Sequence, residues 1–148
     1  MKKKIKSIAN EVIDLEINAL KKLKSSLNSS LETAVDLITN CQSKVIVCGV
    51  GKSGIIASKI AATFSSIGLM ALFLNPLDAL HGDLGVVASE DVCLLLSNSG
   101  ETSELLEILP HLKRRGTARI ALVGRADSSL ARGSDVLLDA SVDREVCP

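Results

Sequence analysis

The sequence predicts an α/β fold in three layers. A five-stranded parallel sheet carries helices on both faces and is preceded by amphipathic N-terminal helices. Three observations point there. Short apolar runs of strand length alternate with segments of helical period. The runs are apolar throughout, as strands buried on both faces require. Glycine-rich or hydroxyl-rich turns stand where strands give way to helices, the end of an open α/β sheet at which ligands bind. At 148 residues the chain has the length of one domain. It divides into a helical lead-in over 1–40 and the α/β unit over 41–148.

The lead-in is helical across 3–39. Ile5, Ile8, Val12, Leu15 and Ala19 step by three and four, as do Leu20, Leu23, Leu27, Leu31, Val35 and Ile38. Ser25-Ser26 and Asn28-Ser29-Ser30 interrupt it, which predicts two helices or one kinked helix. The apolar stripe can pack on a partner subunit or cover the chain's own sheet. Lys44 to Cys48 is the first strand, Gly49 to Gly54 its exit turn, and a helix follows until Gly68. Met70 to Leu74 is the second strand. Asn75-Pro76 opens a connector with a short helix around Leu77 to Leu80, followed by His81-Gly82-Asp83-Leu84-Gly85. Val92 to Leu96 is the third strand, and its helix runs to Arg115 with Gly116 as the stop and Pro110 as a kink or break. Ala118 to Val123, a short helix over Ser128 to Arg132, and Val136 to Leu138 complete the pattern.

Composition removes several function classes. Lys+Arg and Asp+Glu both count 17, so no charge excess invites nucleic acid. Phe64 and Phe73 are the only aromatic residues, which leaves no platform for base stacking. Cys41, Cys48, Cys93 and Cys147 show neither disulfide-framework nor metal-ligand spacing, and read as reduced thiols of a cytoplasmic protein with no metal. The basic start, Met1 to Lys6, lacks the apolar stretch of a signal peptide, and no run reaches membrane-spanning length; no membrane partner is expected.

Two turns carry chemistry. Gly49-Val50-Gly51-Lys52-Ser53-Gly54 fits the dinucleotide fingerprint, but the acid wanted after the second strand is replaced by Leu74, Asn75 and Pro76. The P-loop alternative needs a glycine where Ile46 stands. An anion site of undeclared identity remains, with one lysine and one serine at a helix start. Ser97-Asn98-Ser99-Gly100-Glu101-Thr102-Ser103-Glu104 is the second turn. Its hydroxyls can cap the helix, with Ser99 as N-cap and Thr102 at N3, or hold a phosphate; the geometries coincide. Glu101 and Glu104 suit the same helix dipole. Two such turns on adjacent strand–helix units open on one crevice. His81 lies at the same end of the sheet and is structural or catalytic with equal weight, whereas His111 reads as helix surface.

Four segments together resemble the sugar isomerase (SIS) domain of bacterial arabinose 5-phosphate isomerases: Val50-Gly51-Lys52-Ser53-Gly54, Ala79 to Gly85, Ser97 to Glu104, and Glu145-Val146-Cys147-Pro148. The resemblance covers roughly 5–148. It implies a flavodoxin-like SIS fold and an aldose–ketose isomerase interconverting D-ribulose 5-phosphate and D-arabinose 5-phosphate. In the family this reaction feeds precursor synthesis for the eight-carbon sugar acid KDO of lipopolysaccharide. It further implies no cofactor, a cytosolic homotetramer, and sugar phosphate as the partner. Ser53, Ser97, Ser99 and Thr102 match phosphate-holding hydroxyls, with Gly51 and Asn98 beside them. Lys52, Glu104 and Glu145 match catalytic residues, and His81 matches a histidine lining the site. Family members continue past the Cys-Pro with a Thr/Ser-rich turn, a helix and a catalytic histidine, and longer ones add CBS modules. The resemblance therefore implies a domain incomplete at its C-terminus. A non-catalytic sugar-phosphate sensor or an inactive fragment is the competing reading.

For isomerisation through a cis-enediol, Glu104 is the expected base and Lys52 the group that polarises the carbonyl. Glu145 is the second carboxylate, and its place outside the sheet leaves open whether it serves its own or a neighbouring subunit's site.

Overall fold

The computed structural model describes residues 1–146; Cys147 and Pro148, and the Cys-Pro half of the last family motif, lie outside the described residues. Helices α1 (Lys2–Ser26) and α2 (Ser29–Thr39) precede β1 (Val45–Cys48), α3 (Gly51–Ser66), β2 (Ala71–Leu74) and α4 (Pro76–Leu80). A 3-10 turn at Asp83–Val86 leads to β3 (Val92–Ser97), α5 (Ser103–Arg115), β4 (Ala118–Val123), α6 (Ser129–Arg132) and β5 (Val136–Asp139). All pairings are parallel in the order β2-β1-β3-β4-β5. The chain leaves β1 toward one edge and returns to β3 on its other side. The crevice where connections diverge lies over the C-terminal ends of β1 and β3.

The sheet separates two apolar layers. One face packs Ile46, Cys48, Cys93 and Leu95 against α4, α5 and α6 through Ala79, Leu105, Ile108, Leu112 and Leu130. The other packs Val45, Val47, Leu94 and Leu96 against α2 and α3 through Ala34, Ala57 and Ala61. Cys41, Cys48 and Cys93 are free thiols, the last two fully buried in β1 and β3.

The lead-in is two helices. Leu27 is extended, and Asn28 caps α2 by accepting from the Ser30 N–H at 2.8 Å. The helices differ in use. α2 buries Ala34 against the sheet, while α1 buries no residue and exposes Ile5, Ile8, Ile13, Ile17 and Leu20. Within its 25 residues α1 is too charged to cross a membrane, and no helix among the described residues is long and apolar enough to do so.

Two expectations shift. α5 runs past Pro110 without a break, because fully buried Leu105, Ile108 and Leu112 anchor it from both sides while Pro110 is exposed. It ends at Gly116 in the left-handed region, φ +79°. β3 extends one residue to Ser97, which pairs with Val123 and is 3% exposed, so the first serine of the turn is a strand residue.

The N-terminal edge of the sheet is bolted by ion pairs. The fully buried Asp91 carboxylate accepts from the Lys44 ammonium at 2.9 Å and from the Ala88 N–H at 2.7 Å. Burial alone would raise its carboxyl; the hydrogen bonds from Lys44 and Ala88 outweigh that and hold it below its ordinary value. The buried Arg119 guanidinium donates to Asp135 at 2.8 Å and to the Thr117 carbonyl at 2.9 Å.

Candidate functional site

At the opposite edge, α3 and α5 start where β1 and β3 end. Neither has a side-chain cap at its N-terminus, whereas α2, α4 and α6 are capped by Asn28, Asn75 and Ser128. Their first-turn N–H groups therefore remain available, with the positive end of each helix dipole, to an anion in the crevice. A cleft of about 250 Å³ opens beside the start of α3, lined by Lys52, Ser53 and Ile56 of α3, Leu96 and Ser97 of β3, Asn98 just after it, Leu122 and Val123 of β4, and Gly124 and Ala140 beyond.

The second turn is built by its own hydroxyls. The Gly100 N–H donates to Ser97 Oγ at 2.9 Å, and the Glu101 N–H to Ser99 Oγ at 3.1 Å. Ser97 Oγ and Thr102 Oγ1 are 2.7 Å apart. Ser99 is therefore not the N-cap of α5. Thr102 occupies that position, and Ser99 instead closes a turn two residues on. Gly100 sits at φ +67°, and a Cβ there would lie 2.0 Å from Ser128 Oγ, so only glycine fits.

Glu101 does not serve the α5 dipole. Its carboxylate accepts the Ser129 N–H at 2.7 Å, at the start of α6, while the Leu130 N–H donates to the Gly100 carbonyl at 3.0 Å. The Ser129 N–H and hydroxyl hold the Glu101 carboxyl below its ordinary value, helped by Arg132 and Arg125. An acid beside an anion site is thereby turned away and electrostatically satisfied.

Of the predicted residues, Lys52, Ser53, Ser97 and Asn98 share the cleft. Gly51 opens α3, and Ser99 and Thr102 stand in the adjoining turn. Glu145 lies beside the turn of its own chain, where its Oε1 accepts from Asn98 Nδ2 at 2.9 Å. Residues 140–146 return along the C-terminal edge, with the Ala140 N–H on the Val123 carbonyl at 2.8 Å and Asp143 on Lys22 of α1 at 2.5 Å. Glu104 and His81 do not line the cleft. Glu104 is half-buried in the first turn of α5 and accepts from Ser103 Oγ at 3.0 Å; His81 is exposed at the end of α4. His111 pairs with Arg114 on α5, away from the cleft. Sequence reasoning missed Gly124, a glycine directly after a strand, where a Cβ would meet Asn98 Oδ1 at 2.2 Å. Among the described residues no cluster of metal-ligating side chains occurs.

Comparison with known proteins fits this geometry. The arabinose 5-phosphate isomerase KdsD of Escherichia coli K12 is 44% identical over 138 residues, 93% of this chain and 42% of its own length. The KdsD of Pseudomonas aeruginosa is 41% identical over 140 residues, 95% of this chain and 43% of its own. The chain thus spans less than half the length of these curated relatives. A solved structure from E. coli CFT073, in complex with arabinose 5-phosphate, superposes with a TM-score of 0.92 at 39% identity, covering 99% of this chain and 78% of that one. The SIS domain family model matches residues 37–147, from the end of α2 through every strand and through α3 and α5. With the parallel sheet, the divergent crevice and its hydroxyl turn in place, the chain belongs to the SIS domain family.

Proposed function

We propose that the chain is the isomerase domain of an arabinose 5-phosphate isomerase, interconverting D-arabinose 5-phosphate and D-ribulose 5-phosphate. The observation that carries this is the uncapped start of α3 on the cleft, with Lys52 beside the hydroxyls of Ser53 and Ser97, and the uncapped start of α5 just beyond the turn that begins at Ser97. The relatives named for that reaction, and the related structure holding arabinose 5-phosphate, support it.

In this reading Ser53, Ser97, Ser99 and Thr102, with Gly51 and the N–H groups of both helices, grip the phosphate and hold the sugar in register. A base removes the C2 proton of the aldose, and the electrons fall into a cis-enediolate. Lys52 stabilises the developing negative oxygen. The proton returns to C1 while the hydroxyl protons exchange between O1 and O2, giving the ketose with no net change in redox state. Glu104 is the base and Glu145 the carboxylate that moves the hydroxyl proton. His81 is carried over from the family resemblance alone and stands exposed at the end of α4.

The domain reading assigns 1–40 as lead-in and 41–148 to an SIS domain, in a cytoplasmic enzyme that serves KDO and lipopolysaccharide precursor synthesis. The exposed apolar stripe of α1 supports assembly as a homo-oligomer, a tetramer by family resemblance.

The test is incubation of the chain with arabinose 5-phosphate in D2O, following ribulose 5-phosphate and deuterium incorporation together. Turnover with deuterium at the exchanged carbon is expected, and Glu104→Gln abolishes the wash-in. A Glu104→Gln variant exchanging at the parent rate removes Glu104 as base. The position of Glu104 and His81 outside the cleft favours one second reading, a sugar-phosphate sensor. Calorimetric binding of arabinose 5-phosphate without turnover identifies it.

A further inference from the structure

Asn98 falls in the middle of the hydroxyl turn, where a substrate contact is the natural expectation for its side chain. Its surroundings point elsewhere. The Gly124 N–H donates to the Asn98 backbone carbonyl at 3.0 Å, and the bare Cα of Gly124 makes the space in which Asn98 Oδ1 lies. With the oxygen end of the amide held there, the nitrogen end faces Glu145, and Nδ2 donates to Oε1 at 2.9 Å. The reverse orientation would set two oxygens against each other, so the carboxylate itself selects this rotamer.

The segment that brings Glu145 is placed by other means. The Ala140 N–H donates to the Val123 carbonyl, Asp143 pairs with Lys22, and Val142 and Val146 line one cavity with Leu15, Ala19 and Leu20 of α1. None of these contacts fixes the direction of the Glu145 side chain, which is exposed. The hydrogen bond from Asn98 does.

We propose that Asn98 is a positioning residue: braced on Gly124, its side-chain amide holds the Glu145 carboxylate of the same chain beside the cleft at the start of α3, which Asn98 lines with Lys52. This rests on the isomerase reading for its functional consequence, but the contact can be tested apart from it. The charged groups that share a cavity with Glu145 are Glu16 of α1 and the neighbouring Arg144, and Lys52 shares the cleft with Asn98.

The primary experiment follows the side-chain amide protons of Asn98 by 1H–15N correlation from pH 7 down to pH 4. They are expected to move with one carboxylate titration, and Glu145→Gln is expected to abolish that movement. Amide protons that ignore pH in the parent, or still titrate in Glu145→Gln, overturn the proposal. Gly124→Ala, whose Cβ would stand 2.2 Å from Asn98 Oδ1 and 2.8 Å from the Asn98 carbonyl oxygen, displaces the amide from its brace and gives the same loss of titration. The second arm is kinetic, with ribulose 5-phosphate. Asn98→Ala lowers kcat by roughly ten- to a hundredfold, with KM within about twofold of the parent. Asn98→Asp sets two carboxylates together that share one proton, so its rate optimum moves to lower pH and part of kcat returns there. A raised KM at unchanged kcat overturns the proposal and makes Asn98 a substrate contact. A parent that binds but never turns over overturns the isomerase reading, and the titration alone then judges the brace.

Discussion

The two edges of the sheet use polar groups in opposite ways. At the N-terminal edge, Asp91 with Lys44 and Arg119 with Asp135 are paired, with the Asp91 carboxylate and the Arg119 guanidinium buried. At the C-terminal edge, Lys52 makes no ion pair among the described residues, and α3 and α5 lack caps that their neighbours possess. The first edge spends its charges on holding β1, β3, β4 and β5 in place. The second leaves donors unsatisfied by protein, which costs stability and suits a ligand. Stability and binding are thus divided between the ends of the same strands.

That division can be broken from either side. The largest effect expected is on turnover: Lys52→Ala lowers kcat by about 10²–10³-fold in a ribulose 5-phosphate assay while the thermal midpoint stays near the parent's. A lysine that only decorates the surface would leave kcat alone. Next, Asp91→Ala strands Lys44 and the Ala88 N–H; urea unfolding should show a loss of about 3 kcal/mol, with phosphate-site affinity in the folded protein unchanged. Gly100→Ala crosses the boundary. A Cβ against Ser128 at φ +67° should cost roughly 1–3 kcal/mol by the same unfolding measurement and weaken sugar-phosphate binding as well, because it deforms the turn.

The smallest effect is at Glu101, and its sign follows from the depressed carboxyl. A group whose folded-state pKa is lowered contributes stability above its unfolded value and loses it as pH falls through the folded one. Glu101→Gln should therefore lower the urea midpoint slightly at pH 7, and the gap should close below the ordinary carboxylate range. A gap that persists at pH 3 assigns the difference to packing.

Much of the frame was legible because it follows short-range rules. Alternation of apolar strands with helical periods located all five strands, and Gly116 marked the end of α5. Ser25 to Ser30 signalled the break between α1 and α2. The site was legible as two turns facing one crevice, since chain order and sheet handedness place them there. What escaped was side-chain pairing at long separation. Glu101 finds Ser129 at 28 residues' distance and Asn98 finds Glu145 at 47; no periodicity encodes either. Ser99 has the residue type of an N-cap but not its place, because β3 runs one residue further than its apolar stretch and moves the helix start to Ser103. The different use of α1 and α2 was undecidable from periodicity alone, as both helices carry an apolar stripe and only α2 lies against the sheet.

The two thiols inside β1 and β3 turn the sheet into its own clock. Burial pushes Cys93 up to about 12 and, together with the nearby Cys93, lifts Cys48 well above its ordinary value. A thiolate is the form that reacts with alkylating agents, so neither sulfur is available while the strands remain joined. Labelling at Cys48 and Cys93 then advances only through openings of the central pair, whereas half-buried Cys41 at the end of α2 keeps faster local time. The ratio of the two labelling rates measures how rarely the centre of the sheet comes apart compared with its border.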